Sequence, residues 1–359
     1  MVTNADEIEV DETEAEDDEA FISYDIASYP SDYTLSVIEE MWENGDIIVP
    51  PFQRKFVWTI KQSSSLIESL LMGLPVPQAF FYVDPDSRNL VIDGLQRIMS
   101  IVYFFDGYFG EEGIQGKKTV FRLTGLSDRS PYANKTFEEL SDPDKRKLKG
   151  RPLRVINVKQ LGPKDDNTSA YHIFERLNTG GTPLTAQEIR HCVFHGPIVE
   201  KLSDANTHAS WRKIIGKTNF DKHQKDVELI LRVLAISTRA DEYEKPMKEF
   251  LNITMEHNRK ANSQEANNFF AMFPKVCDIV LEKLGERPFN IKGRINASAL
   301  DSVFGTLMTI ADDIPNDLGA RYAALKDDAE FIDTLSLSTS DASVIKKRLN
   351  AVRRHIIPG

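Results

Sequence analysis

One stretch in the first half of the chain combines two strand patterns, a turn and a helix pattern in direct succession. Apolar residues at 79–83 and 90–92 flank a turn-rich segment, which predicts a β-hairpin. The second strand runs straight into Asp93-Gly94, and apolar residues then recur at helical spacing from Leu95 to Phe105. A helix that starts directly after a strand has unpaired amides in its first turn. The stretch therefore predicts a domain that mixes strands and helices, with a candidate site where the helix begins.

The sequence patterns divide the chain into three regions. Residues 1–30 form an acidic tail, with ten acids and no base in the first twenty positions, and little apolar surface to bury predicts disorder. Residues 31–195 contain the clear strand patterns, and residues 196–359 contain helix patterns almost alone. The predicted fold class is α+β, with a mixed domain followed by an all-helical domain. The helices of the second domain are predicted at 225–238, 245–258, 265–284, 296–312 and 340–355.

Charge and composition exclude several classes of protein. The net charge of −11 becomes −1 without the ten acids of the tail, and such a near-neutral body is not that of a dedicated DNA-binding protein. The chain has no run of eighteen apolar residues and no secretory signal, so we expect a cytoplasmic protein without membrane contact. The two cysteines are far apart, and His191 and His195 have no third ligand in the pattern, so neither a disulfide framework nor a metal site is predicted.

The start of the helix after the hairpin offers the components of a phosphate site. Asp93 stands where an N-cap is expected, Gln96 stands in the capping-box position, and Gly94 allows a ligand to approach closely. Asp93, Arg97 and Ser100 are predicted to share one face, away from the apolar stripe. Unpaired amides and a guanidinium together favour a bound phosphate. The alternative is a capped helix whose Arg97 pairs with a surface acid.

Two loops are further candidates for phosphate or nucleotide binding. Gln53 and Arg54 lie in an aromatic-rich loop after two prolines, which is able to stack a base, although such aromatics often serve only to anchor a loop. The second loop precedes a helix start with a capping box, Thr185 and Glu188, and it is rich in hydroxyl groups and free amides that can wrap an anion. Its candidate residues are Asn178, Thr179, Gly180 and Thr182.

A basic stretch follows in the same half of the chain. It consists of Lys145, Arg146, Lys147, Lys149 and Arg151. These cations are weak candidates for contacts with nucleic-acid phosphates, and the alternative is a solvated run of charges.

Taken together, these motifs resemble the N-terminal domain family of GmrSD-type restriction enzymes. Four motifs occur in the same order between residues 47 and 190, and they cover a little under half of the chain. They are Pro51-Phe52-Gln53-Arg54 with Val57-Trp58, Leu66-Ile67-Glu68-Ser69-Leu70 with Gly73-Leu74-Pro75-Val76-Pro77, Ile92-Asp93-Gly94-Leu95-Gln96-Arg97, and the segment from Phe174 to Thr185.

The resemblance implies a ParB/sulfiredoxin-like fold and a nucleotide site. The Asp-Gly-Gln-Gln-Arg motif of the family is associated with nucleotide binding and hydrolysis that control an attached nuclease. Asp93, Gly94, Gln96 and Arg97 match this motif, and Leu95 stands where the first glutamine is usual. This departure leaves open whether the chain hydrolyses nucleotide or only binds it. The family's His-Asn-His nuclease domain has no recognisable counterpart in residues 196–359, so we do not expect this chain to cut DNA by itself.

The resemblance leads to a specific expectation about function. A nucleoside triphosphate, with or without a divalent cation, would bind between the two loops and the helix start. Arg97, together with Arg54, would neutralise phosphate oxygens, while Asp93 and Gln96 would orient water or a metal. The expected protein is a nucleotide-binding and hydrolysing regulator of a prokaryotic anti-phage or restriction system. Its expected partners are DNA and a nuclease or methyltransferase, and oligomerisation stays open. The alternative is a ParB-type DNA-binding or adaptor module without turnover.

Overall fold

The fold is described from a computed structural model of the protein, which divides into two compact units. They are Tyr24–Pro183, here named the sheet unit, and Leu184–Gly359, here named the helical unit. The predicted α+β class, with a sheet-containing region followed by a helical one, is confirmed. The described residues are 25–49, 56–84, 87–110, 118–162, 169–177, 185–291, 293–336 and 338–357.

The sheet unit contains the predicted hairpin followed at once by a helix, and this prediction is confirmed. Its elements are β1 (Asp25–Thr34), α1 (Leu35–Glu43), β2 (Ile47–Ile48), α2 (Ile60–Met72), β3 (Ala79–Val83), β4 (Asn89–Asp93), α3 (Leu95–Asp106), β5 (Tyr108–Phe109), β6 (Thr119–Val120), α4 (Asp142–Lys149), β7 (Pro152–Gly162) and α5 (Ser169–Leu177).

The main sheet brings three chain segments to one of its ends. It has five strands in the order β1-β7-β3-β4-β2. Strand β2 runs parallel to β4, while β3 runs antiparallel to β4. The end of β2, the end of β4 and the start of β3 therefore lie at the same end of the sheet. The chain that leaves β2, the chain that enters β3 and the start of α3 all meet there.

The core of the sheet unit explains why α3 starts where it does. Helix α3 packs against both α1 and α2, and the apolar faces of the three helices join the inner residues of the sheet in one cluster. The stripe predicted for α3 is buried, with Ile98, Ile101 and Val102 almost inaccessible to solvent. Burying this stripe fixes the rotation of α3, and so it fixes which side chains of the first turn face outward.

Two boundaries and one helix differ from the sequence predictions. Residues 25–30 belong to β1, which pairs antiparallel with β7, and not to the acidic tail. Most of β1 is exposed, so its sequence lacks the apolar alternation that reveals a half-buried strand. The division between the units falls at 183–184 instead of 195, because α6 (Ala186–Val193) packs against helices of the helical unit. Helix α4 was also not predicted, since charged residues occupy most of it.

The helical unit consists of packed helices and one short hairpin, and the five helices predicted in it are present. After α6 its elements are α7 (Pro197–Asn206), α8 (Ala209–Ile214), α9 (Lys225–Arg239), a 3-10 turn (Ala240–Glu242), α10 (Met247–His257), α11 (Gln264–Leu284), β8 (Asn290–Ile291), β9 (Arg294–Ile295), α12 (Ala297–Thr309), α13 (Leu318–Lys326), α14 (Ala329–Asp333) and α15 (Ala342–Ile356). Within the described ranges, no helix combines the length and the apolar character that crossing a bilayer requires.

Candidate functional site

The junction between β4 and α3 differs in one respect from the capped helix start that the sequence predicts. The N-cap is Gly94, with a φ of +105°, and it has no side chain to bond the first amides of α3. Asp93 is the last residue of β4, one position before the cap. The predicted capping box of Asp93 and Gln96 is therefore wrong, because the strand continues one residue further than the N-cap signal suggests. The first turn of α3 keeps its partial positive charge without a cap side chain.

Gly94 is required at this position by its backbone and by its neighbours. A φ of +105° lies in the region that residues with a Cβ rarely adopt. A Cβ at this position would lie 2.6 Å from the Cβ of Ala79, the first residue of β3, and 3.4 Å from a terminal nitrogen of Arg97. The glycine therefore allows β3 and the guanidinium to approach the start of α3 closely.

Arg97 is held at the junction by two hydrogen bonds from the same nitrogen. Its Nη2 donates to the backbone oxygen of Gln78 at 2.9 Å and to Oδ2 of Asp93 at 2.7 Å. The Arg97 side chain is 14% exposed, whereas that of Asp93 is 56% exposed. Nε of Arg97 is buried and has no hydrogen-bond partner among the described residues. The surface ion pair that the sequence allowed is thus present, but it leaves part of the guanidinium unused.

Gln96 does not cap α3 and instead holds a different segment of the chain. Its Oε1 accepts hydrogen bonds from the backbone nitrogen of Val57 at 2.9 Å and from that of Trp58 at 3.1 Å. Leu95, in contrast, is buried in the core of the sheet unit. Residue 95, where the family usually has its first glutamine, therefore faces the core in this chain. Residue 96, the second glutamine position, faces the junction.

Ser100 does not face the junction, and its predicted place on an open face with Asp93 and Arg97 is wrong. The side chain is fully buried. Its hydroxyl donates to the backbone oxygen of Gln96 at 2.7 Å and lies 2.8 Å from Oγ of Ser63 in α2. The physical reason is that α2 and α3 pack closely along this side, where two small hydroxyl residues can pair inside the contact.

Comparison with protein families identifies the domain that contains this junction. Residues 37–195 match the family model described as the GmrSD restriction endonuclease, N-terminal domain. This part of the chain is similar to a GmrSD N-terminal domain. The match runs from within α1 to just beyond α6, so it includes the β4–α3 junction and the helix that begins after Thr185. No curated protein matches the sequence. The domain relates the chain to components of DNA restriction systems.

The two candidate loops of the matched region lie outside the described residues, and only their neighbours are described. Phe56 makes edge contacts with Tyr103 of α3 and with Phe109, at ring distances of 5.0 and 5.4 Å. The predicted capping box of Thr185 and Glu188 at the start of α6 is confirmed. Gln53, Arg54, Asn178, Thr179, Gly180 and Thr182 lie outside the described residues.

The basic stretch of the domain does not form a single surface. Lys145, Arg146 and Lys149 line a shallow groove of about 510 Å³, which also includes Ser36, Phe137, Asp142 and Gly150. Lys147 is exposed on α4 but does not line this groove. Arg151 donates from Nε to the backbone oxygen of Leu70 at 3.0 Å and is used in packing. The five cations, although close together in sequence, thus lie in three different environments: the groove, the solvent and the packing contact with α2.

Carboxylates reduce the positive charge of this groove. Nζ of Lys145 lies 2.8 Å from Glu138, and Nζ of Lys149 lies 3.1 Å from Glu39. Both ammonium groups also lie over the ring of Phe137, at 5.6 Å from its centroid. Arg146 makes no ion pair among the described residues, so it is the cation of the groove with the most freedom to meet an external phosphate.

A divalent cation at the junction would need a bound phosphate to supply some of its ligands. Among the residues that the structure describes, no group of three or more His, Cys, Asp or Glu side chains is arranged to hold a metal ion. Magnesium in nucleotide sites often uses one or two carboxylates and takes its other ligands from phosphates and water. The exposed carboxylate of Asp93 fits that pattern, because it projects beside the first turn of α3.

Proposed function

We propose that this GmrSD N-terminal domain binds a nucleoside triphosphate at the β4–α3 junction and thereby regulates a restriction or anti-phage system. The observation that carries the proposal is the start of α3, which has no cap side chain and holds Arg97 in its first turn with Nε unused. Helix starts of this kind bind phosphate because their amides and partial charge favour an anion. A guanidinium beside them adds charge-assisted hydrogen bonds.

The chemistry of the junction suits a triphosphate better than a neutral ligand. Arg97 is already oriented by Gln78 and Asp93, so little side-chain entropy is lost when it grips a phosphate. Asp93 is exposed beside it and would hold a divalent cation that bridges phosphate oxygens. In hydrolysis, such positioning and charge neutralisation supply most of the rate enhancement. We therefore assign phosphate binding to Arg97 and cation or water orientation to Asp93.

The two loops would complete the nucleotide site. The segment that contains Gln53 and Arg54 leaves the sheet after β2, which is parallel to β4, and the chain returns at Phe56 on the side of α3. The next two residues, Val57 and Trp58, donate through their backbone nitrogens to Gln96 in the first turn of α3. We propose that Arg54 binds phosphate and that the hydroxyl-rich loop supplies further anion contacts. That loop contributes Asn178, Thr179, Gly180 and Thr182.

A hydrolysis assay tests the enzymatic part of the proposal. Phosphate release from ATP, GTP, CTP and UTP is measured with magnesium and without DNA. We expect at least one nucleotide to be hydrolysed and Asp93→Asn to abolish release. Glu139→Gln is the matched control, because Glu139 is an exposed acid of the same unit that pairs with Arg122 away from the junction. Nucleotide binding without release would favour a nucleotide sensor without turnover, and no binding of any of the four would refute the proposal.

A second candidate function is DNA binding without turnover, as in a ParB-type or adaptor module. The observation in its favour is the groove on α4, where Arg146 has no ion-pair partner among the described residues. The surface pairs of Lys145 and Lys149 contribute little stability, so a phosphate backbone would compete for these lysines. DNA affinity of Arg146→Gln, compared with Lys147→Gln on the same helix, measures this function. Equal affinities of the two variants would rule out the groove as the DNA site.

A further inference from the structure

An exposed aromatic side chain stands on the loop between α8 and α9 in the helical unit. This loop comprises residues 215–224 and is here named the Phe220 loop. Phe220 is 59% exposed, whereas Trp211 and Ile214 of the preceding helix are almost inaccessible to solvent. A phenyl ring has no polar group that water can bond, so its exposure has a cost in hydration free energy. A ligand that covers the ring would remove this cost.

The backbone on both sides of Phe220 is bonded to one buried ion pair. Arg212 and Asp226 form this pair at 2.7 Å, with side chains 9% and 1% exposed. Nη2 of Arg212 donates to the backbone oxygen of Asn219. Oδ2 of Asp226 accepts from the backbone nitrogen of Asp221 at 3.0 Å. The guanidinium also lies 5.0 Å from the centroid of the Phe220 ring. The ring is thus held in place by its neighbours, so little conformational entropy is lost when a ligand stacks on it.

The charges around the ring are unevenly distributed. Residues 212–226 contain five cations and two acids. Both acids, Asp221 and Asp226, are buried. Asp226 belongs to the ion pair, and Asp221 accepts from the backbone nitrogen of His223 at 2.8 Å. Of the four lysines, Lys213 and Lys222 are exposed and the other two are half-buried. The acids therefore serve the fold, while the solvent side of the loop presents positive charge.

We propose that the Phe220 loop binds a single-stranded nucleic acid. One unpaired base stacks on the ring of Phe220, and the exposed Lys213 and Lys222 hold neighbouring backbone phosphates. Every base has a flat π face, so aromatic rings combined with cations bind single strands without reading their sequence. In a duplex these faces are covered by the adjacent base pairs, so the loop should prefer a single strand. None of these residues belongs to the β4–α3 junction, so this site and the proposed nucleotide site are tested separately.

Fluorescence anisotropy of the full-length protein measures the stacking contact. The probes are a labelled oligo-deoxythymidine strand and a labelled duplex of the same length, without nucleoside triphosphate. We expect the single strand to bind more tightly than the duplex. Phe220→Ala should weaken binding of the strand by roughly five- to a hundredfold, the loss of one stacked base, whereas Phe220→Trp should retain it. Tyr108→Ala is the matched control, because Tyr108 is 44% exposed and lies 5.5 Å from Nζ of Lys118, but belongs to the sheet unit.

A salt titration separates stacking from charge. Each phosphate contact contributes about 0.7 to the slope of log affinity against log salt concentration on a single strand. Replacing Lys213 and Lys222 together by Gln should therefore reduce the slope by roughly 1.4. Phe220→Ala should leave the slope unchanged although the affinity falls. Lys275→Gln is the control, since Lys275 is an exposed lysine of α11 that pairs with Asp312 at 2.8 Å.

Several outcomes would overturn the proposal. A wild-type protein that does not bind the strand, or that prefers the duplex, would contradict it. Unchanged affinity in a folded Phe220→Ala variant would show that no base stacks on the ring, and equal weakening in Tyr108→Ala would remove the specific role of the loop. If Phe220→Ala does not fold, photo-crosslinking of the wild type to a strand that carries 5-iododeoxyuridine decides the matter. We expect the crosslink at Phe220, and a crosslink confined to other parts of the chain would refute the assignment.

Discussion

Two arginines, one in each unit, differ in how completely the fold pairs their guanidinium groups. Arg190 in α6 is 1% exposed and uses its guanidinium fully within the helical unit. Arg97 in α3 is 14% exposed, and its Nε has no partner among the described residues. The partners of Arg190 are Asn252 at 2.9 Å, Gln187 at 3.1 Å, Glu228 at 2.9 Å and the backbone oxygen of Lys248 at 3.3 Å.

The comparison extends to other buried arginines of the helical unit. Arg212 lies 2.7 Å from Asp226, and Arg232 lies 3.1 Å from Asp301, with both carboxylates buried. Burying a guanidinium is costly unless carboxylates and carbonyl groups satisfy its donors. The helical unit follows this rule at each of these sites. Arg97, whose Nε has no partner among the described residues, differs in this respect from Arg190, which is paired at all three of its nitrogens.

The largest expected effect is on stability, and it should separate the two arginines. Arg190→Ala leaves the buried groups of Gln187 and Asn252 without their donor and opens a cavity. We expect the free energy of unfolding to fall by about 3–5 kcal/mol. The control is Arg122→Ala, whose ion pair with Glu139 is half exposed and should contribute less than about 1 kcal/mol. Urea denaturation measures the free energy of unfolding of both variants. A loss in Arg190→Ala as small as that in Arg122→Ala would show that Arg190 does not stabilise the fold.

A pH effect of nearly the same size should arise next to Arg190. Burial, with smaller contributions from the charges of Arg190 and His195, lowers the pKa of His191 to about 4. The folded protein then keeps His191 neutral while the unfolded chain takes up a proton below pH 6.5. Stability should fall as the pH drops from 6.5 to 4, by up to about 3 kcal/mol.

Urea denaturation across this pH range tests the prediction. His191→Gln should flatten the pH profile, whereas His257→Gln, at an exposed histidine of α10, should leave its slope unchanged. A wild-type profile that is already flat between pH 4 and 6.5 would show that burial of His191 does not carry this cost.

A smaller effect should come from the glycine that shapes the junction. Gly94→Ala introduces a Cβ at a φ of +105° and 2.6 Å from Ala79. Gly45→Ala is the control, because Gly45 has a φ of +74° but no atom within 4 Å of an added Cβ. We expect Gly94→Ala to destabilise the protein by about 1–3 kcal/mol more than Gly45→Ala, owing to the close contact with β3. Equal losses in the two variants, measured by thermal unfolding, would show that β3 can move aside.

The sequence predicts the local structure around the site better than its detailed contacts. The hairpin, the buried stripe of α3 and the capping box at Thr185 are all specified by residues close together in the chain. The N-cap lies one residue later than the sequence predicts, because Asp93 is a common capping residue type but here continues β4. The sequence does not predict the burial of Ser100, because its contact with α2 depends on Ser63, which is distant in sequence.

Contacts between distant residues escape a single sequence. The partners of Gln96 lie 38 and 39 residues earlier, and they are backbone amides that any residue type could supply. The network of Arg190 draws on residues as far as 62 positions away. Rules of periodicity and capping concern residues close together in the chain, so they do not reveal such pairs.

The most direct test of the central claim is the affinity of Arg97→Ala for a labelled nucleoside triphosphate. The account predicts binding that is weaker by roughly ten- to a hundredfold, the loss expected for one guanidinium–phosphate contact. It also predicts a circular dichroism spectrum and a melting temperature close to those of the wild type, because the pair with Asp93 is exposed on the carboxylate side. Unchanged affinity in a folded Arg97→Ala variant would contradict the assignment of the β4–α3 junction as the phosphate site.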